Sequence, residues 1–254
     1  MDQFYRLRER GINVEVRQSV SSTNTLVKKE LANHYLNQPL VMVANEQTAG
    51  HGKVDRPFYS AARSGAYFTL GLPNSYWSAE NPPQDLTIRA VVAAYQTAVQ
   101  LFDCQLSIKW VNDLYRDGKK VAGILAETAI NDHNQFCGVV IGWGINLTMP
   151  TDWPADLQSN AGALTDQPFS SQLRNHLVDL VVDRFLELLE TPWQKVLAVY
   201  RRRQYLTGKE LVVDTGNEVT TGRFLRITDN GYLVIQTATE TRSFFSGTVR
   251  LVQD

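Results

Sequence analysis

Cysteine is nearly absent from this chain. Cys104 and Cys137 are the only two in 254 residues, and they lie too far apart to match a paired metal or redox spacing. A disulfide framework is excluded, and two buried thiols in a reducing cytoplasm are expected. Histidine is also scarce. His34, His51, His133 and His176 fall at no metal-ligand spacing, so no metal held by protein side chains alone is expected. Charge of one sign is missing too. The 25 Lys and Arg nearly balance 26 Asp and Glu, for a formal net charge of −1. That leaves no electrostatic footprint for DNA and no polybasic patch for a membrane surface. Long apolar runs are lacking. Met1 to Arg8 does not read as a signal peptide, and no window approaches the ~20 apolar residues of a bilayer span. A soluble, cytoplasmic protein is expected.

What the chain has is an ample supply of core residues, 43% hydrophobic, and a clear change of pattern near residue 206. Ile12 to Arg17 alternates as a half-buried strand. A helix is expected from about Thr25 to Tyr35, preceded by the capping hydroxyls of Ser21, Ser22 and Thr23. Leu40 to Ala44 reads as a buried strand. A loop with Gly50, Gly52 and Pro57 follows, then a strand from Gly65 to Leu72 and a loop ending near Pro82-Pro83. Leu86 to Phe102 has helical periodicity. Gln105 to Lys109, Asp113 to Arg116, Lys120 to Ala129 and Phe136 to Leu147 read as strands, the last three a meander. Helices are expected over Ser171 to Glu190 and Trp193 to Tyr205. Beyond them, short strands at Glu210 to Val213, Arg223 to Ile227, Tyr232 to Thr237 and Thr241 to Phe245 suggest a small antiparallel barrel. The expectation is an α+β domain over 1–205 and an all-β domain over 206–254.

Four segments carry chemistry. In Gln47-Thr48-Ala49-Gly50-His51-Gly52-Lys53, the glycines let backbone N–H groups approach an anion, and His51, Lys53 and Arg56 add positive charge. Lys109-Trp110-Val111-Asn112-Asp113 and Lys119-Lys120-Val121-Ala122-Gly123-Ile124-Leu125 place lysines at strand edges, where each can project into a cleft as a point charge for phosphate. Gly142-Trp143-Gly144-Ile145-Asn146 suggests close backbone approach within a strand. Taken singly, each has a plain structural alternative. Ser22 and Thr23 can cap a helix. Gly123, Leu125 and Gly142 can be sheet packing, Asp113 a turn residue, and Trp110 core.

In order and combination these segments resemble the biotin–protein ligase family. Ser22-Thr23-Asn24 is similar to its Ser-Thr-Asn element, and Gln47 to Ser60 to its Gly-Arg-Gly-Arg loop. Lys109 to Asp113 resembles its Lys-Trp-Pro-Asn-Asp motif. Lys120 to Glu127 resembles its Lys-x-Ala-Gly-Ile-Leu-x-Glu strand, and Gly142 to Asn146 its Gly-x-Gly-Ile-Asn element. The resemblance implies a mixed sheet flanked by helices, like class II synthetases, and a C-terminal SH3-like barrel. It also implies formation of biotinyl-AMP from biotin and Mg·ATP, then transfer of biotin to a lysine of a biotin carboxyl carrier protein or domain, of acetyl-CoA or pyruvate carboxylase. Catalysis would fall to Lys120, Lys53 and Asp113. Biotin would meet Ser22, Thr23, Asn24, Gln47, Gly50, His51, Gly52, Lys53, Lys120, Gly123, Leu125 and Gly142. ATP would meet Arg56, Phe58, Lys109, Asn112, Asp113 and Asn146, with Phe58 stacked on adenine. A homodimer through sheet edges is a family-level expectation. With ~20 residues before Ser22, too few for a winged helix, no repressor role is expected. The pattern is broken at His51 and Lys53, where the family has arginine, and in Asp55-Arg56-Pro57-Phe58, Val111 and Trp143. Lysine keeps charge but loses the bidentate fork. The competing expectations are a lipoate–protein ligase or octanoyltransferase of the same fold, and a weakly active, biotin-binding sensor.

Overall fold

The computed structural model describes residues 3–33, 36–53, 56–77, 85–150, 153–154 and 159–252. Tyr35, Asp55 and Pro82-Pro83 lie outside this set.

Two sheets organise the chain. The first has seven strands: β1 (Asn13–Val20), β2 (Leu40–Gln47), β3 (Gly65–Pro73), β4 (Ser107–Lys109), β5 (Asp113–Arg116), β6 (Lys119–Ile130) and β7 (Phe136–Asn146). Their spatial order is β1-β2-β3-β7-β6-β5-β4, with β1 parallel to β2 and every other pair antiparallel. The helices are α1 (Tyr5–Glu9), α2 (Thr23–Ala32), α3 (Leu86–Phe102), α4 (Ser171–Glu190) and α5 (Trp193–Arg202).

The two faces of the central strands differ in side-chain size, and that difference creates the site. On one face, Phe68 of β3, Trp143 of β7 and Ile124 of β6 are large and buried. Trp143 stacks on Phe68 with centroids 5.1 Å apart, meets Phe185 of α4 edge-on at 5.7 Å, and donates to Ala90 O of α3 at 3.1 Å. This is the main core, and α3 and α4 cover it. Trp143, which departs from the family's small residue, is accommodated there. On the other face the cross-strand neighbours are Thr69, Gly142 and Leu125 in one row and Tyr67, Gly144 and Gly123 in the next. Little side chain rises from these glycines, so the sheet is left as the floor of a slot. Helix α2 covers the far end of that face through Val27 and Leu31, packed on Leu40, Met42 and Val140.

The second sheet comprises β8 (Glu210–Asp214), β9 (Val219–Ile227), β10 (Leu233–Gln236), β11 (Thr241–Phe244) and β12 (Thr248–Leu251). Its order is β11-β10-β9-β8-β12, antiparallel throughout. The expected closed barrel is not seen: among the described residues the ladder is linear, and its end strands β11 and β12 are only four residues each. Trp110 joins the two sheets. Its indole N–H donates to Gly231 O at 3.0 Å, and Arg201 of α5 donates to Ile227 O at 2.9 Å. Among the described residues no helix is long and apolar enough to cross a membrane.

Phe185 is fully buried at the junction of α4 with the first sheet. Phe185→Ala is expected to lower unfolding free energy by about 3–5 kcal/mol, measured by denaturant titration.

Candidate active site

The slot opens into one cavity of about 1060 Å³, walled by the glycine loop, by β5 and β6, and by β12 of the second sheet. At one end are polar groups held by α2. Ser22 caps that helix, its Oγ accepting Thr25 N–H at 3.4 Å, and it also lines the cavity. The Thr23 N–H donates to Gln47 Oε1 at 2.8 Å, and Gln47 Nε2 donates to Ser60 Oγ at 3.0 Å. Asn24 lies behind them. A Cβ on Gly142 would overlap Asn24 Oδ1, so glycine is required for the amide to lie across the strand. Glu127 anchors the far side, taking Lys28 Nζ at 2.8 Å and Asn24 Nδ2 at 3.0 Å, with His51 Nε2 at 3.9 Å. Burial works against ionisation of Glu127. The bonds from Lys28 and Asn24 and the charges of Lys28 and His51 outweigh it, and hold the carboxyl below the usual range.

The other end is cationic. Lys120 Nζ lies 2.7 Å from Asp113 Oδ1, an approach outside hydrogen-bond angles that leaves this buried oxygen with a charge partner but no directed donor. The register explains the pair: β5 and β6 are adjacent, with Asp113 opposite Gly123 and Tyr115 opposite Lys120. Lys109 donates to the Tyr115 hydroxyl at 3.2 Å. Burial pulls the Lys109 ammonium below its ordinary range; Asp113 opposes this, while Lys120, Lys209 and Arg56 reinforce it. Burial lowers Lys53 likewise, again opposed by Asp113. Asp113 is the sole acid among the described lining residues. A half-buried surplus of positive charge is a site for a polyanion.

Of the residues singled out from the sequence, all but Gly50 and Asn146 line this cavity. Gly50 is part of the loop's packing, where a Cβ would meet Phe58 O at 2.6 Å. The Asn146 side chain donates to Gly162 O at 2.9 Å and is buried, so its amide is spent on the backbone. Asn112 lines the cavity, but its amide is bound to Ile124 O at 2.6 Å. The Phe58 ring lies over the slot floor: a Cβ on Gly144 would meet it at 2.5 Å and one on Gly123 at 3.4 Å. Tyr115, Tyr205 and β12 were missed. Tyr115 follows Asp113 by two along a strand, which puts both on one face and was a usable signal. Tyr205 stacks on Tyr115 with centroids 4.7 Å apart, a contact between elements distant in sequence.

Residues 16–146, about half of the chain, match the model of the Biotin/lipoate A/B protein ligase family. The chain belongs to the biotin/lipoate A/B protein ligase family. Residues 207–252 match a second model, the Biotin protein ligase C terminal domain. Among family relatives, a bifunctional ligase/repressor from Bacillus subtilis is 27% identical over 91% of this chain and 72% of its own length. A biotin–[acetyl-CoA-carboxylase] ligase from Paracoccus denitrificans is 30% identical over 77% of this chain and 83% of its own. The fold is also that of a biotin protein ligase from Aquifex aeolicus, solved with biotin and ATP. The TM-score is 0.79, with 22% identity over 95% of this chain and 99% of that one.

Gly142→Ala tests the slot directly. Its methyl group must displace Asn24, so ligand affinity is expected to fall at least about tenfold while the fold persists, read by calorimetry and thermal unfolding.

Proposed function

We propose that this protein is a biotin–protein ligase, which makes biotinyl-5′-AMP and passes biotin to a lysine of a carrier domain. One observation carries the reading: a glycine-floored slot with oriented polar groups at one end opens onto three lysines and one aspartate at the other. The slot suits an uncharged bicyclic body, and the polar end suits its ureido group. The cationic end suits a carboxylate meeting a nucleotide. In the first step a biotin carboxylate oxygen bonds to the α-phosphorus, the bond to the β-phosphate oxygen breaks, and pyrophosphate leaves. In the second, a lysine amine attacks the acyl carbon, the bond to AMP breaks, and the amine loses a proton. Both steps move negative charge, so fixed cations stabilise them without covalent participation by the protein.

In this reading Lys120 holds the biotin carboxylate and the reacting phosphate. Lys53 and Lys109 take the remaining phosphate charge, together with Arg56. Asp113 keeps Lys120 in place and orients the incoming amine. Its under-coordinated Oδ1 also suits Mg²⁺ delivered with the nucleotide, an ion that would neutralise phosphate charge. Phe58 packs on the ligand body in the slot and not on adenine. The acceptor is a biotin carboxyl carrier domain of acetyl-CoA or pyruvate carboxylase, and the proposed unit boundary is 205/206. A sheet-edge homodimer and a cytoplasmic location complete the proposal.

The match of residues 207–252 favours biotin over lipoate. Incubation with ATP, biotin and an acetyl-CoA carboxylase carrier domain is expected to biotinylate the carrier. Lys120→Ala should slow transfer by about 10²–10³-fold, seen by avidin blot or intact mass. Lipoylation in place of biotinylation would overturn the substrate. Biotin binding without transfer would favour a sensor, a reading motivated by His51 and Lys53 in the loop.

A further inference from the structure

Lys109 stands at the end of β4 and lines the cavity, and its hydrogen-bond partner is not an acid. Among the described residues it has no carboxylate at ion-pair distance, because Asp113 is taken by Lys120 at 2.7 Å. Lys109 Nζ donates instead to the Tyr115 hydroxyl at 3.2 Å. The Tyr205 ring stacks on Tyr115 with centroids 4.7 Å apart and 24° between their planes. That stack covers one face of Tyr205. The other carries Lys209, whose Nζ lies 3.2 Å from the ring centroid. Backbone bonds hold the array together. Ile108 N–H donates to Arg203 O at 2.7 Å and Tyr205 N–H to Ile108 O at 2.8 Å, which sets Tyr205 beside β4. In the β4–β5 pair Ser107 is opposite Tyr115. Phe224 N–H donates to Lys209 O at 3.0 Å, so Lys209 is carried by the second sheet.

The chemistry of the partner decides what Lys109 can do. A carboxylate would hold the ammonium and cancel its charge. A phenol is uncharged at neutral pH, so it accepts the hydrogen bond and leaves the charge for an incoming anion. The lysine stem is long and freely rotating, and an unheld ammonium would have to be ordered when the anion arrives. Tyr115 orders it beforehand. The stacked Tyr205 ring, capped by the Lys209 cation, keeps the phenol from turning away.

We infer that Tyr115, backed by Tyr205 and Lys209, is a positioning residue that sets Lys109 for the departing pyrophosphate, and so serves adenylate formation and not biotin transfer. The inference rests on the biotin ligase reading and deepens it. In adenylate formation the bond from the α-phosphorus to the bridging oxygen breaks, and its electron pair leaves with pyrophosphate. A cation already in place stabilises that charge as it develops. When the carrier amine attacks the acyl carbon, pyrophosphate has gone. AMP is then the leaving group, beside Lys120, and Lys109 has no departing phosphate of its own to meet.

The test separates the two half-reactions. Adenylate formation is followed by biotin-dependent exchange of labelled pyrophosphate into ATP, and transfer by supplying biotinyl-AMP and a carrier domain. Tyr115→Phe keeps the ring and removes the acceptor. It is expected to slow exchange about tenfold while transfer from biotinyl-AMP changes less than about twofold. Tyr205→Ala removes the support behind the phenol and should slow exchange in the same selective way. Tyr205→Phe restores a ring and should recover it, so the result does not depend on one variant folding. Lys109→Met should lose more than Y115F, and Y115F added to K109M should cost nothing further, because the group it positions is gone. Exchange at the wild-type rate in Y115F, equal losses in both half-reactions, or a full further loss on top of K109M would each overturn the proposal. Failure of the wild-type protein to form adenylate from biotin and ATP would overturn the ligase reading itself, and is seen before any variant is compared.

Discussion

Lys120 and Asp113 face each other across 2.7 Å at the mouth of a slot that already holds Lys109 and Lys53. One carboxylate does not balance three ammonium groups. Removing such charges from water costs more than the remaining pairing returns. The free protein tolerates this surplus because two lysines meet it partway: burial draws Lys53 and Lys109 below their ordinary range. A bound polyphosphate supplies the missing negative charge. Affinity and catalysis then have a common source, since the cations stand fixed before reaction and need no reorganisation during it.

The sheet serves this charge cluster through a contrast in side-chain volume. Phe68, Trp143 and Ile124 fill one face and bind α3 and α4. Gly123, Gly142 and Gly144 keep the other low, so that Lys120, Asn24 and Phe58 can lie against the strands. Because strand residues alternate between faces, the same short stretch of β7 supplies both the core tryptophan and the slot floor. A bulky Trp143 is therefore compatible with an open slot one residue away on either side.

Much of this arrangement was legible in the residues. Period-two alternation located β1, helical periodicity located α3 and α4, and Ser22 marked the start of α2. The five motifs converge on one cavity. What stayed hidden follows from chain length and distance. The helix α1 has five residues and β12 has four, too few for a period to register. In the first half of β9, Val219 to Gly222, burial alternates but the buried positions are Thr220 and Gly222, so no apolar period marks the strand. The placement of Phe58 over Gly144, the commitment of Asn146 to Gly162 O, and the stacking of Tyr115 on Tyr205 are contacts between remote segments, and no local pattern encodes them. The contacts of Thr69 with Thr23 and Asn24 were invisible for the same reason: a threonine inside an apolar strand reads as β-propensity, not as a hydrogen-bond link.

The surplus of half-buried positive charge is tested most directly by counting protons on nucleotide binding. Calorimetry of Mg·ATP binding near pH 9, in buffers of differing ionisation enthalpy, reads net proton exchange. The lysines lowered in the free protein should rise when the polyanion arrives, so the complex should take up protons, more strongly as pH increases from neutral. Binding of the nucleotide with no proton exchange, or with proton release, would contradict the account.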